Sequence, residues 1–135
     1  MKKLVLLLLF AIVLAGCQSK PVTGETVSAA GGSYQSVTPD ELNTMLKNKD
    51  FVLVNVHTPF AGNIAGTDLS IAYDQIEQNL SQFPVDKNAK IVLYCRSGRM
   101  SKIAAENLVS LGFTNIWDLK GGMVDWELAG YEIEK

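Results

Sequence analysis

The residues with the clearest chemical potential are Cys95-Arg96-Ser97-Gly98-Arg99-Met100-Ser101, a thiol followed by a polar, basic, glycine-containing loop. The apolar run Ile91 to Tyr94 before it reads as a buried strand. Ser101 to Leu111 reads as a helix that stops at Gly112. Cys95 therefore falls at the carboxyl end of a strand and under a helix amino terminus, where free backbone N–H groups favour negative charge. Arg96 and Arg99 add positive potential, which favours the thiolate, the nucleophilic form. A small anion is the natural partner for such a spot. The competing reading is a cysteine that simply ends a core strand, since unpaired cysteines are commonly buried.

Other residues could take part in this chemistry. His57, the single histidine, follows an apolar strand and is placed at the rim of the same sheet edge, where it could pair with the thiol or be a loop residue. Ser97 and Ser101 could contact sulfur or cap the helix. Trp117 and Trp126 are expected in the core. One histidine and one available thiol do not make a zinc site, so neither metal nor cofactor is expected.

The elements that must position the thiol alternate strand and helix. Tyr34 to Val37 is a short strand. Thr38-Pro39-Asp40-Glu41 supplies an N-cap, a proline and an acid for a helix bearing Leu42, Met45 and Leu46. Phe51 to Val56 is a central strand, His57 to Gly66 a loop and Asp74 to Leu80 a second helix. After Ile91 to Tyr94 and its helix come the strand Asn115 to Leu119 and, past Gly121-Gly122, the helix Met123 to Ala129. This order predicts an α/β fold, with a mostly parallel central sheet of about five strands and helices on both faces. Ligands in such folds sit beyond the carboxyl ends of the strands, where Cys95 lies.

The amino terminus carries a different message. Met1-Lys2-Lys3, the apolar run Leu4 to Leu14 and Ala15-Gly16-Cys17 have the anatomy of an export signal, and the run is shorter than the roughly 20 residues a bilayer span needs. Leu14-Ala15-Gly16-Cys17 also resembles the lipobox of bacterial lipoproteins. That resemblance implies removal of residues 1–16 and a lipid on Cys17 that anchors the chain to a membrane of the cell envelope. Gln18, in place of the Asp that retains such proteins at the inner membrane, implies the periplasmic face of the outer membrane if the cell is Gram-negative. Residues 17–33 read as the lipidated end and a flexible tether, and 34–135 as one domain. With Cys17 acylated, Cys95 has no partner in the chain; without the lipid, a Cys17 to Cys95 disulfide stays open. The mature chain keeps 10 basic residues against 14 acidic ones, and nothing in it suggests nucleic acid.

Over Tyr34 to Glu134 the sequence resembles the single-domain rhodanese-like sulfurtransferase family. The loop Cys95 to Ser101 resembles the family's Cys-Arg-x-Gly-x active loop. Gly121-Gly122-Met123-Val124-Asp125-Trp126 and Ala129-Gly130-Tyr131 match its closing motif. Asn55-Val56-His57 and Gly62-Asn63-Ile64-Ala65-Gly66-Thr67 are a worn form of its Asp-x-Arg strand end and Gly-His-Ile-x-Gly-Ala entry loop. The resemblance implies a Cys95 thiolate that takes the sulfane sulfur of a small anionic donor such as thiosulfate. It holds that sulfur as a persulfide and passes it to cyanide or a thiol, with Arg96 to Ser101 as the substrate-binding loop. The altered Asn55, His57 and Asn63 make a second role credible: a non-catalytic persulfide carrier or sulfur-compound-binding module tethered to the membrane. Cysteine phosphatases share a thiolate on an anion-binding loop, but they need an Arg six residues after the Cys, where this chain has Ser101, and a loop one residue longer.

Overall fold

The computed structural model describes Gly16 and residues 20–135, so the readings of the export signal and of Cys17 lie outside the described residues. Six strands form one sheet: β1 (Glu25–Ala29), β2 (Gly32–Val37), β3 (Val52–Asn55), β4 (Leu69–Ser70), β5 (Ile91–Tyr94) and β6 (Ile116–Leu119), in the spatial order β1-β2-β6-β5-β3-β4. Every pairing is parallel except the β1–β2 hairpin. The helices are α1 (Pro39–Leu46), α2 (Arg99–Ser110) and α3 (Gly122–Leu128).

The central strands β5 and β6 are buried along their whole length, as a parallel sheet covered on both faces requires. Side chains alternate between two cores. Ile91 and Leu93 join Ala104, Ala105 and Leu108 of α2 on one face. Val92 and Tyr94 join Leu42 and Met45 of α1 and Met123 and Trp126 of α3 on the other. Trp117 and Trp126 both sit in this second core. At the start of α1 Thr38 and Glu41 close the reciprocal capping box that their spacing predicts: Glu41 N donates to Thr38 Oγ1 at 3.3 Å, and Thr38 N donates to Glu41 Oε2 at 2.8 Å.

Two expectations are corrected. The stretch 17–33, read as a flexible tether, contains β1, which pairs with β2 from Glu25 opposite Ser36 to Ala29 opposite Gly32. Its Ser, Thr and Gly content hid a strand whose Val27 and Ala29 pack half-buried on the core. With the two-residue β4, it brings the four strands named from the sequence to six, where about five were expected. The helix expected over Asp74 to Leu80 is instead a 3₁₀ segment, Glu77–Gln82, interrupted at Asn79, where φ is −117°. Ile76 and Phe83, which flank it, carry the burial.

Candidate active site

Cys95 follows the last residue of β5, and four residues later α2 begins. Its Sγ accepts a hydrogen bond from the Gly98 N–H at 3.0 Å and lies 3.5 Å from Ser101 Oγ. Cys95 is a free thiol, only 1% exposed. Ser101, fully buried in the first turn of α2, also donates to the Gly98 carbonyl at 3.3 Å, so the hydroxyl both closes the turn and faces the sulfur. Gly98, the residue before α2, has φ +97°, a left-handed conformation that a side chain would strain. No side chain caps α2, and its amino end is left turned toward the thiol.

The glycine pair after β6 explains how this loop is held. Met123 N donates to the Cys95 carbonyl and Val124 N to the Arg96 carbonyl, both at 2.9 Å. The first turn of α3 thus grips the backbone of the thiol loop. Such an approach needs Gly122: a Cβ there would lie 2.4 Å from the Cys95 carbonyl oxygen. The two motifs read separately along the sequence are one clamp in space.

Around the thiol the candidate residues divide. Gly98 and Ser101 are buried against it, whereas Arg96, Ser97 and Arg99 are exposed and Met100 is half-buried. The Arg99 guanidinium sits 5.9 Å from the centre of the Tyr73 ring, a cation–π arrangement at the loop's edge. Arg96 lines a shallow cleft of about 100 Å³ with Ala61, Met123, Val124, Glu127 and Ile133. His57 is partly buried; desolvation and then the positive charge of Arg96 lower its pKa. No hydrogen bond joins its ring to Cys95 among the described residues.

The entry loop is anchored despite its altered residues. The Asn55 side-chain amide, buried at the end of β3, donates to the Gly62 carbonyl and to Asn63 Oδ1, each at 2.9 Å. Its own oxygen accepts from His57 N at 3.0 Å. Tyr94, the last residue of β5, accepts from Ile64 N at 3.0 Å and lies 2.7 Å from Thr67 Oγ1. A neutral amide network spans the two strand ends that flank the site.

One further residue near the site has only a weak sequence signal. Asp118 on β6 is fully buried behind Ser101, and neither carboxylate oxygen has a hydrogen-bond partner. Desolvation raises its pKa from 3.8 to about 7, while the nearby Ser101 hydroxyl and the Lys102 charge pull the other way. The signal available in the sequence was an acid inside the otherwise apolar run Ile116-Trp117-Asp118-Leu119. Among the described residues no group of three or more His, Cys, Asp or Glu side chains could hold a metal ion.

The model of the rhodanese-like domain matches residues 38–129, which include the thiol loop, the clamp and the entry loop. The chain belongs to the rhodanese-like family. The match to a prokaryotic membrane lipoprotein lipid attachment site covers residues 1–18. Among rhodanese-like relatives, a sulfurtransferase of Allochromatium vinosum is 31% identical, over 63% of this chain and 79% of its own. A thiosulfate sulfurtransferase/rhodanese-like domain-containing protein 3 of Mus musculus is 26% identical, over 94% of this chain and 97% of its own. The crystal structure of a rhodanese-like domain protein from Staphylococcus aureus superposes with a TM-score of 0.61 at 33% identity, over 74% of this chain and 98% of that one. The mostly parallel sheet with helices on both faces is the rhodanese-like fold, and the Allochromatium vinosum relative is a sulfurtransferase.

Proposed function

We propose that this protein transfers sulfane sulfur through Cys95. The observation that carries the reading is the hydrogen bond from Gly98 N–H to Cys95 Sγ at the head of α2, a donor aimed at sulfur on a loop that α3 holds by two backbone hydrogen bonds. The thiolate attacks the outer sulfur of thiosulfate, a new S–S bond forms, and sulfite leaves with the electron pair of the broken one. The resulting Cys95 persulfide is anionic, and the same loop amides and the Ser101 hydroxyl would stabilise it. Cyanide or a thiolate then attacks the outer sulfur and returns Cys95 to the thiolate. Arg96 and Arg99, exposed at the loop's edge, would draw in the sulfonate end of the donor. Ser101 is buried at the position where a cysteine phosphatase would need its phosphate-clamping Arg.

A second reading has its own observation. With Cys95 only 1% exposed, a bulky acceptor cannot reach a loaded sulfur without loop opening, which suits a carrier that unloads onto one dedicated partner. We also assign the lipid anchor to Cys17, with the domain facing the periplasm from the outer membrane in a Gram-negative cell; residues 34–135 carry the sulfur chemistry. The deciding experiment is thiosulfate-to-cyanide transfer by the mature chain beside Cys95→Ser, with intact mass after thiosulfate alone. Turnover with a Cys95-dependent gain of one sulfur supports the enzyme, a gain without turnover supports the carrier, and neither signal from folded, reduced protein overturns both.

A further inference from the structure

The chain enters the fold at the end of the sheet away from Cys95. Lys20 and Pro21 line a shallow depression with Asn48, Asp50 and Lys90, residues that precede β3 and β5 and so lie at the amino ends of the parallel strands. Val22 then packs on the core face that carries α1 and α3, and the chain crosses that face to begin β1 beside the carboxyl end of β2. Cys17 is three residues before Lys20, a reach of at most about 11 Å. Cys95, in contrast, stands the length of β5 away from that end, roughly 13 Å.

The chemistry of that end is distinctive. Lys20, Lys47, Lys49, Lys87 and Lys90 gather there, half of the ten basic residues that follow Cys17. Asp68 engages Lys49 at 2.6 Å and Asp50 engages Lys90 at 3.7 Å. Among the described residues Lys20, Lys47 and Lys87 have no carboxylate within ion-pair distance, and Asp86 is the remaining acid of the group. Lys87 is held 3.8 Å from the centre of the Phe113 ring, which fixes its ammonium at the surface. In the same turn Val85 is 97% exposed, an apolar tip among lysines. The thiol end also exposes Phe60 and Leu128 and carries Arg96, Arg99 and Lys135, but it sets Asp125, Glu127, Glu132 and Glu134 against those cations.

We propose that the amino-end face of the sheet is a bilayer-docking surface for anionic lipid headgroups, holding the Cys95 loop turned away from the membrane. The proposal rests on the lipid assignment at Cys17, and it joins a short leash, a cluster of unpaired lysines and an apolar tip on one face. Lysines near an anionic bilayer surface are attracted to it, and an exposed valine can enter the interfacial layer. The sulfur donor and acceptor then approach from the aqueous side.

The test uses the full mature, lipidated protein in phosphatidylethanolamine–phosphatidylglycerol vesicles carrying nitroxide-labelled lipid. A fluorophore is placed at Val85→Cys or at Glu127→Cys, each in a Cys95→Ser background. The expected result is quenching several-fold stronger at position 85 than at 127. It should weaken when Lys47→Glu and Lys87→Glu are added, and the same pair should change nothing in neutral phosphatidylcholine vesicles. Equal quenching, or stronger quenching at 127, overturns the orientation. Intact mass without an acyl increment at Cys17 overturns instead the anchor assignment beneath it, so the two failures are distinguishable.

Discussion

Ser101 and Asp118 form a short polar column behind the Cys95 thiol, in a core that is otherwise apolar. A carboxyl whose folded-state pKa lies near 7 and whose unfolded value is 3.8 binds more protons folded than unfolded between those limits. Stability conferred by the neutral acid is therefore full at low pH and declines as pH rises from about 4 to about 7. The shift corresponds to at most about 4 kcal/mol. Asp118→Asn should flatten this decline, so that the variant is the more stable protein at pH 8; denaturant unfolding across the pH range measures it. At the rim, Arg96→Ala should raise the His57 pKa, because one of the two effects that depress it is removed. NMR titration of the single histidine reads this directly, and a raised KM for thiosulfate should accompany it if the guanidinium meets the donor.

The loop after β5 depends on an element distant in sequence. The first turn of α3 is hydrogen-bonded to the carbonyls of Cys95 and Arg96, and Gly122 allows the contact. Gly122→Ala meets both obstacles at once, a φ of +59° and a backbone atom at 2.4 Å. We expect a loss of roughly 2 kcal/mol or more in unfolding free energy, and a fall in sulfur-transfer rate larger than the lost stability explains. Comparing kcat with the unfolding midpoint separates these effects. By comparison Thr38→Ala, which breaks the capping box of α1 away from the thiol, should cost about 1 kcal/mol and leave kcat unchanged.

At the scale of the whole molecule, the amino-terminal segment is part of the fold. β1 pairs with β2 along its full length, and Val22, Val27 and Ala29 pack against the two cores. A chain beginning at Tyr34 should unfold with on the order of 2–3 kcal/mol less free energy than one beginning at Lys20, a difference that denaturant midpoints resolve.

Local sequence determined much of this protein. Alternating apolar runs and capped helices specify a layered α/β domain, since burial periodicity is a local property. The order of residues from Tyr94 to Ser101 puts a thiol before a helix start, and the α1 capping box follows from a three-residue spacing. Tertiary structure decided the rest, because it depends on contacts between residues far apart in the chain. β1 is a strand because β2 offers it a paired edge; its Thr26 and Val27 favour a strand, but Glu25, Ser28 and Ala29 dilute that signal and the run is too short to show it alone. Asn55 holds the entry loop through carbonyl and amide partners that only the fold brings within reach. Asp118 acquires its raised pKa from desolvation between sheet and helix, a property of three-dimensional burial that no spacing of residue types encodes.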